Sequence, residues 1–238
     1  AILAKNEQLR ANLLRSISHD LRTPLTSISG NAGILLSNGD TLKQEKKQQL
    51  YSDIYDDALW LINLVENLLA VTKIEEGSMH LKMSAELMDE VITEALHHVN
   101  KKKDEHTIKV VQTEDFILAK MDARLIVQVI INIVDNAIKY TPAGSTITIS
   151  TTKKDKQVIV DIADDGPGIP DQAKERIFDM FYIAPNEVVD SHRSLGLGLA
   201  LCKSIINAHG GEISVLDNKP KGTVFRFTLP AEEVNLYE

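Results

Sequence analysis

Two long helical patterns at the start of the chain constrain its fold most strongly. The first covers residues 1–36, a turn cluster follows at residues 37–40, and the second ends near residue 76. In both, apolar side chains recur at three- and four-residue steps, which gives one apolar stripe along a helix. The first stripe contains Leu14, Ile17, Leu21, Leu25, Ile28, Ala32 and Leu35, and the second Leu50, Ile54, Ala58, Leu61, Val65, Leu68 and Thr72.

These patterns predict an antiparallel helical hairpin over residues 1–76, because a short connection leaves two long helices side by side. A lone hairpin cannot cover two apolar stripes of this length. We therefore expect a second copy of the chain to complete a dimeric four-helix bundle. Residues 77–84 are expected to form a linker to a second domain.

His19 is the first candidate for chemistry. It stands two positions after Ile17 and two before Leu21, so it points away from the apolar stripe. Asp20 beside it can hydrogen-bond the ring and favour one tautomer, which leaves the other nitrogen free as a nucleophile. Most lone exposed histidines are ordinary surface residues, so this assignment depends on the rest of the chain.

From residue 79 the pattern changes to short strands and helices, which predicts one sheet covered on one face by helices. Antiparallel strands are expected at residues 79–85, 107–112, 117–119, 146–152, 158–163, 212–216 and 223–229, with helices at 87–96, 122–140 and within 171–208, Asp122 capping the middle one. We interpret Cys202 as a residue that packs a helix against its neighbours. The histidines at positions 97, 98 and 106 lack metal-ligand spacing and are interpreted as surface residues.

Composition excludes several classes of protein. The sequence contains no run of eighteen apolar residues, so it predicts no membrane span within these residues. The net charge of −8 argues against broad nucleic-acid binding but not against a nucleotide held in a local pocket. One cysteine excludes an internal disulfide. Because Ala1 lies inside a helical pattern, we expect the chain to be a fragment of a longer protein.

A polar helix face near the middle of the chain suggests a nucleotide. Asn132, Asn136, Lys139 and Tyr140 fall at steps of four, three and one, which crowds them on one side of a helix. An amide oxygen can bind Mg²⁺ together with phosphate oxygens and water. Lysine can neutralise phosphate charge, and tyrosine can stack on a base. A plain polar helix face is an equally good interpretation of these four residues alone.

Glycine-rich stretches follow. In residues 164–170, Asp164 can accept a hydrogen bond from an exocyclic amine while Gly166 and Gly168 allow close backbone approach; a simple turn is the alternative. Gly196 and Gly198 open a helix, whose free N–H groups suit phosphate. Residues 178–182, which include three aromatic side chains, precede a long polar loop typical of a lid, although core packing explains the aromatic side chains as well. The turn at residues 221–223 carries little specificity of its own.

Together these stretches resemble the sensor histidine kinases of two-component systems, over nearly the whole chain and in the family's order. Residues 18–25 resemble the phospho-acceptor H box, residues 132–140 the N box, 164–169 the G1 box, 178–182 the F box and 196–199 the G2 box. One such box is a weak signal, whereas five in sequence are specific. Asp20 and residues 26–30 are most similar to the potassium-responsive Kdp-type sensor kinases.

The resemblance implies a dimerisation and phosphotransfer bundle, then an ATP-binding α/β sandwich of the gyrase–Hsp90–histidine kinase–MutL type over residues 85–238. It implies a homodimer that uses ATP and Mg²⁺ to phosphorylate His19. The phosphoryl group then passes to an aspartate of a response-regulator receiver domain, and the same protein can dephosphorylate that regulator. The expected location is the cytoplasmic region of a protein anchored in the bacterial inner membrane, with no membrane contact and no nucleic-acid partner within these residues.

The resemblance also implies a role for each matching residue. His19 is the phosphorylated nucleophile, Asp20 its acid/base partner, and Thr23 the residue that orients water for dephosphorylation. The implied nucleotide contacts are Asn136 to Mg²⁺ with Asn132 beside it, Lys139 to phosphate, Tyr140 to the base, Asp164 to the adenine amine, and Gly166, Gly168, Gly196, Gly198 and Leu199 around the pocket and lid.

Four positions depart from the family's pattern. Asp20 replaces the commoner glutamate, Ile183 stands where an arginine often follows the F box, and Ser194-Leu195 replace a glycine and a small residue. We expect Arg193 to compensate in the lid. Arg193→Ala should then weaken ATP use more than folding, and unchanged autophosphorylation of that variant would refute the expectation.

Two other functions share these features. A chaperone- or topoisomerase-like ATPase needs a catalytic acid where Asn132 stands, so the amide argues against it. A degenerate pseudokinase would serve only as a dimerisation module, and the intact His19, Asn136 and Asp164 argue against that.

Overall fold

The computed structural model describes residues 2–77, 80–99, 105–114, 116–180, 182 and 196–233. Within the first helix, side chains are described at Ser18 and from Leu21 onward. The chain divides into two compact units, one of residues 1–69 and one that begins at residue 70. No helix in the described ranges combines the length and apolarity of a membrane span.

The first unit is built from two long helices, as the apolar stripes predict. Helix α1 covers Ile2–Asn38 and helix α2 covers Gln44–Glu75. Helix α1 runs through Pro24, and the hydroxyl of Thr26 donates to the carbonyl of Arg22 one turn back, 2.8 Å away. The turn between the helices closes on Asn38, whose carbonyl accepts from the N–H groups of Thr41 and Leu42 at 3.0 and 3.2 Å.

The second unit combines short helices with two sheets. Its elements are β1 (Ser84–Leu87), α3 (Met88–His98), β2 (Thr107–Gln112), β3 (Leu118–Met121), α4 (Ala123–Tyr140), β4 (Thr146–Lys154), β5 (Gln157–Asp164), α5 (Asp171–Lys174), α6 (Gly198–Ala208), β6 (Ile213–Asp217) and β7 (Thr223–Pro230). Strands β1 and β3 pair with each other, and the larger sheet has the order β2-β4-β5-β7-β6. Residue 79, where the first strand was expected to begin, lies outside the described residues.

The large sheet is mixed, so the expectation of purely antiparallel strands is wrong at one edge. Strand β2 pairs with β4 in parallel, from Thr107 beside Thr146 to Gln112 beside Thr151. The chain between these strands passes through helix α4, and such a long helical crossover is what lets two strands run in the same direction. The other pairs, β4–β5, β5–β7 and β7–β6, are antiparallel.

The core lies on one face of this sheet. Alternate residues of β4, β5 and β7 are buried, as period-two strands with one covered face require. Helix α4 adds a buried stripe of Ile126, Val129, Ile130, Ile133, Val134, Ala137 and Ile138. Burying one such aliphatic side chain contributes about 1.5–3 kcal/mol, so this stripe fixes the helix firmly on the sheet. On the other face, Arg226 donates two hydrogen bonds of 2.7 Å to Asp161.

The start of α4 is held differently from what the sequence predicts. Asp122 occupies the N-cap position, but its side chain makes no capping bond. Its carboxylate instead accepts from the guanidinium of Arg124 and from the N–H of Lys82. Burial raises the pKa of Asp122, but the hydrogen bond from Arg124, the bond from Lys82 and the Arg124 charge outweigh it, so the pKa lies below its ordinary value.

Helices α4 and α6 are joined where α6 ends. Buried His209 accepts the N–H of Asp122 on Nε2 at 3.0 Å. The other ring nitrogen, Nδ1, is 2.7 Å from the carbonyl oxygen of Ile205. Because a carbonyl only accepts, Nδ1 carries the proton, and the ring serves as both donor and acceptor. Cys202 lies between these helices, fully buried as predicted, and burial raises the pKa of its thiol to about 12.

Candidate functional site

The polar face of α4 begins at Asn132. Its Oδ1 accepts from Nε2 of Gln128 at 3.1 Å, and its Nδ2 donates to the carbonyl of Gly198 at 3.4 Å. Gly198 is the first residue of α6, so these bonds place the predicted N box beside the predicted G2 box. The apolar stripe of α4 faces the core, which leaves Asn132, Asn136, Lys139 and Tyr140 half-buried on the remaining face. Lys139 Nζ lies 4.9 Å from the centre of the Tyr140 ring.

Asp164 ends strand β5 and lies in a cradle of backbone groups. Its Oδ1 accepts the N–H of Gly166 at 2.9 Å and the N–H of Thr223 at 3.2 Å. Its own carbonyl accepts from the side-chain amide of Asn218 at 2.7 Å. The side chain is therefore fixed in direction, with both of these backbone bonds on one oxygen and Oδ2 left for another donor.

Burial governs the charge of this carboxyl group. Only 6% of Asp164 is exposed. Burial raises its pKa, the two backbone N–H bonds lower it, and the neighbouring charge of Asp165 raises it further, so that the pKa lies above its ordinary value. At neutral pH the group still accepts hydrogen bonds, and a buried acceptor aimed at a ligand discriminates strongly against ligands that offer no donor.

Two glycines in this cradle are fixed by space. A Cβ on Gly222 would stand only 1.9 Å from the carbonyl oxygen of Asp164, and Gly222 also has a φ of +114°. A Cβ on Gly166 would lie 2.6 Å from Cγ2 of Thr141. Side chains at these positions would displace the strand end or the turn. Gly168, with a φ of +83°, packs against the backbone of Gly222.

The structure thus brings the predicted residues together in two groups along α4. One group joins Asn132 to Gly198, which is followed by Leu199 and lies two residues after Gly196. The other joins Asp164 and Gly166 to Thr141, the residue after Tyr140, while Gly168 packs against Gly222. Asn132 precedes Thr141 by nine positions, about 14 Å along a helix, so the two groups lie at opposite ends of the polar face of α4.

Sequence reasoning missed part of this site. It gave the turn at residues 221–223 little weight, yet Gly222 and Thr223 complete the cradle of Asp164. It interpreted His106 as a surface residue, but the ring is half-buried and its Nε2 lies 3.0 Å from the hydroxyl oxygen of Thr141. The available signal was the glycine directly before a strand, which marks close backbone approach. His97 and His98 are exposed as predicted.

The segment after Asp164 is anchored at two points. Lys174 of α5 makes ion pairs with Asp171 and Asp217 at 2.6 and 2.7 Å. The Phe178 ring meets Phe225 edge-on with centroids 6.2 Å apart, and the Arg176 guanidinium lies 4.5 Å from the centre of the Tyr182 ring. The expected lid lies outside the described residues, and with it Ile183, Arg193, Ser194 and Leu195.

In the hairpin, the backbone of His19 and Asp20 is helical, within α1, and their side chains lie outside the described part of the chain. Thr23, one turn later, is exposed, and Pro24 is buried. The expected phospho-acceptor His19 and its partner Asp20 therefore lie on one continuous helix, and His19 precedes Thr23 by four residues.

Comparisons with known proteins match the two parts of the chain to two different family models. A family model described as "His Kinase A (phospho-acceptor) domain" matches residues 9–77. Another, described as "Histidine kinase-, DNA gyrase B-, and HSP90-like ATPase", matches residues 121–233. The solved catalytic domain of histidine kinase ThkA is 30% identical, with a TM-score of 0.56, over 63% of this chain and 95% of that one. The chain belongs to the sensor histidine kinase family.

Two further relatives of this histidine kinase extend over both units. Sensor protein KdpD of Clostridium acetobutylicum is 47% identical over 228 residues, which are 96% of this chain and 25% of that protein. ThkA solved in complex with the response regulator protein TrrA is 26% identical, with a TM-score of 0.71, and the match covers 96% of this chain and 64% of that one. The chain spans about a quarter of the length of the KdpD relatives that it matches. The expected fold, helices followed by an ATPase-type α/β unit, is confirmed.

Proposed function

We propose that this chain transfers the γ-phosphoryl group of ATP to His19 and then to an aspartate of a response regulator. The single observation that carries the proposal is the cradle of Asp164, a fixed acceptor at one end of the asparagine-bearing helix α4. Phosphoryl transfer needs positioning and charge neutralisation more than covalent help from the protein. The chain has the parts for this, an acceptor for the adenine amine, amides and a lysine along α4, and an imidazole on a separate helix.

The residues of α4 suit Mg²⁺. In the described ranges, no cluster of three His, Cys, Asp or Glu side chains could hold a metal ion. A cation beside α4 would therefore take most of its ligands from phosphate oxygens and water, which is how Mg²⁺ is usually bound next to nucleotides. The amide of Asn136 would supply the protein ligand, since Oδ1 of Asn132 already accepts from Gln128. The ion would neutralise charge on the phosphates, and Lys139 would add to this.

A hydrolytic ATPase is less well supported. Water activation requires a general base near the γ-phosphate. The candidate position holds Asn132, an amide whose oxygen and nitrogen are engaged with Gln128 and Gly198. Transfer to an imidazole needs no such base, because neutral histidine is nucleophilic near pH 7.

The dimer and the partner are part of the same proposal. The C-terminal half of α2 exposes Leu59, Ile62, Val65 and Leu69, each by 41–53%, at steps of three and four residues. Such a face on a hairpin suits packing against a second copy in a four-helix bundle. The receiver domain of a response regulator is the proposed second partner, supported by the relative solved with TrrA. Thr23 is proposed to orient water when the regulator is dephosphorylated.

We further propose that the chain is the cytoplasmic part of a Kdp-type sensor anchored in a bacterial membrane. The 47% identity to a KdpD protein supports the type of sensor. Fractionation of cells that make the natural full-length protein would test the location.

Labelled ATP tests the reaction. Wild type should acquire a γ-phosphate label that is stable in base and lost in acid, whereas His19→Gln should acquire none despite normal ATP binding. Asn136→Ala should lose the label through loss of Mg²⁺. Release of free phosphate without labelling would instead support the ATPase, and neither label nor release would support the pseudokinase.

A further inference from the structure

Thr141, just beyond the end of α4, is engaged on two sides. It is buried, and its hydroxyl donates to the carbonyl of Ala137 at 2.6 Å. The single hydroxyl proton is used there, so the contact of 3.0 Å with Nε2 of His106 must be donated by the ring. His106 therefore holds Thr141 in one rotamer through a hydrogen bond that the hydroxyl accepts.

The methyl group of Thr141 bears on the cradle of Asp164. Cγ2 lies 2.6 Å from the place a Cβ on Gly166 would take, so the methyl fills the space beside that glycine. The N–H of Gly166 is one of the two backbone donors to Oδ1 of Asp164. A shift of the Thr141 methyl group would therefore displace the N–H of Gly166, which orients the Asp164 carboxylate.

Hydrogen bonds also connect the α4–β4 turn, which follows Thr141, to the end of β5 and to residues 105–107. The N–H of Thr146 donates to Oδ1 of Asp165 at 3.0 Å, which ties the α4–β4 turn to the end of β5. On the other side, residues 105–107 bond to this turn, Gly144 N–H to the carbonyl of Glu105 at 2.7 Å and Thr107 N–H to the carbonyl of Ser145 at 2.9 Å. The α4–β4 turn therefore lies between the segment of His106 and the turn of Asp164.

We propose that His106 and Thr141 are positioning residues that set the selectivity of the nucleotide site for adenine. They act through Gly166 on Asp164 and touch no nucleotide themselves. The inference rests on the proposed role of Asp164 in accepting the adenine amine. It adds that the strength of this contact is controlled from the segment before β2, which is distant in sequence from every predicted nucleotide-binding residue.

Paired nucleotides separate positioning from simple structural support. Equilibrium binding of ATP and of inosine triphosphate, which carries a carbonyl in place of the amine, is measured on the intact chain. Thr141→Val keeps the methyl group and replaces the hydroxyl with a second methyl, and His106→Leu removes the ring donor. A lost hydrogen bond of ordinary strength should lower ATP affinity about three- to tenfold in each. Affinity for inosine triphosphate should stay the same, so the ratio of the two falls.

Three controls keep the result interpretable. His106→Gln retains an N–H donor and should keep the wild-type ratio. Thr152→Val, an exposed threonine of β4, should change neither affinity. Thr141→Ser keeps both hydrogen bonds but loses the methyl, and should also lower the ratio.

Asp164→Asn separates this inference from the proposed function. If Asp164→Asn lowers the ratio while Thr141→Val and His106→Leu leave it at the wild-type value, the inference fails and the proposed function stands. A loss of equal size for both nucleotides would also overturn the inference, since it indicates general loosening of the unit. An Asp164→Asn protein with wild-type ATP affinity would overturn the proposed adenine contact itself, and the inference with it.

Discussion

The hairpin and the α/β unit use their apolar residues in opposite ways. In the α/β unit, large side chains such as Ile130, Ile162 and Phe227 are at most 1% exposed. In α2, Leu59, Ile62, Val65 and Leu69 keep 41–53% of their surface in one copy of the chain. The change occurs within a single helix, because Val71, only two residues after Leu69, is 1% exposed and belongs to the core of the second unit.

This difference indicates that the two units reach a stable fold by different routes. The α/β unit buries its own apolar stripe against its own sheet. The hairpin has the periodicity of a bundle helix but only half of the bundle's surfaces, so a second copy is the natural way to cover the rest. A kinase of this design would place its acceptor on the shared element and its nucleotide site on the separate one.

The largest expected effect is on the α/β unit alone. Gly222→Ala places a Cβ against the backbone of Asp164 at a φ that L residues rarely adopt. We expect a loss of about 3 kcal/mol or more in the free energy of unfolding of this unit, with loss of ATP binding. Chemical denaturation followed by the near-ultraviolet signal and by ATP binding would measure it. Gly144→Ala is the matched control in the same unit, since Gly144 also has a positive φ, +86°, but nothing lies within 4 Å of the added Cβ. Equal stability of the two variants would contradict the described geometry.

The next effect is on the hairpin alone. Ile62→Lys puts a charge on the exposed face of α2 and should prevent pairing, so the measured mass should fall from about twice 26.4 kDa toward that value. ATP binding by the α/β unit should remain. Val111→Lys, at an equally exposed position of β2, should leave the mass unchanged. Light scattering at several concentrations would decide, and a dimer that survives Ile62→Lys would remove this face from the proposed interface.

A smaller effect is the response of the α/β unit to acid. The pKa of Asp164 lies above the ordinary value of 3.8 and that of Asp122 below it. Asp164 should therefore take up a proton first as pH falls, which weakens ATP binding without costing stability, because the folded state holds that proton more tightly than the unfolded state.

Asp122 behaves in the opposite sense. It contributes stability that is present above the unfolded pKa and is lost only as pH falls through its lower folded pKa. ATP binding should thus decline at a higher pH than circular dichroism does. Coincident decline of the two signals would contradict the assignment, and Asp164→Asn serves as a control whose weak binding should not change in the first range.

The smallest effect concerns a single hydroxyl. Among the residues that the structure describes, Thr151 Oγ1 is the one buried side-chain nitrogen or oxygen without a hydrogen-bond partner. Thr151→Val has nearly the same shape and removes this unpaired group, so it should stabilise the α/β unit by about 1 kcal/mol. Thr148→Val, on the half-exposed face of the same strand, should change stability much less. Thermal unfolding would measure both variants, and a larger gain in stability for Thr148→Val than for Thr151→Val would contradict the prediction.

The sequence predicted what depends on local periodicity. The apolar stripes of α1, α2 and α4 predicted these helices, and the alternation in β4 and β5 predicted strands at residues 146–152 and 158–163. The resemblance assigned Asn132, Gly198, Asp164 and Gly166 to one nucleotide site, and the structure places Asn132 beside Gly198 and Asp164 beside Gly166.

Contacts between distant segments could not be predicted in this way. The parallel pairing of β2 with β4 depends on where helix α4 crosses the sheet, which no pattern within β2 records. The bonds from Lys82 to Asp122 and from His106 to Thr141 join residues that are 40 and 35 positions apart, and the sequence around each one gives no sign of its partner. Tertiary contacts engage the Asp122 side chain, which makes no capping bond although the residue stays at the N-cap, and they leave His106 half-buried rather than on the surface.

The most direct test of the central claim is to locate the phosphate. The intact chain is incubated with ATP and Mg²⁺, digested under alkaline conditions and mapped by mass spectrometry. The account predicts phosphate on the peptide that contains His19, and none there in Asp164→Asn at limiting ATP. Phosphate on a different residue, or an unmodified His19 after complete consumption of ATP, would contradict it.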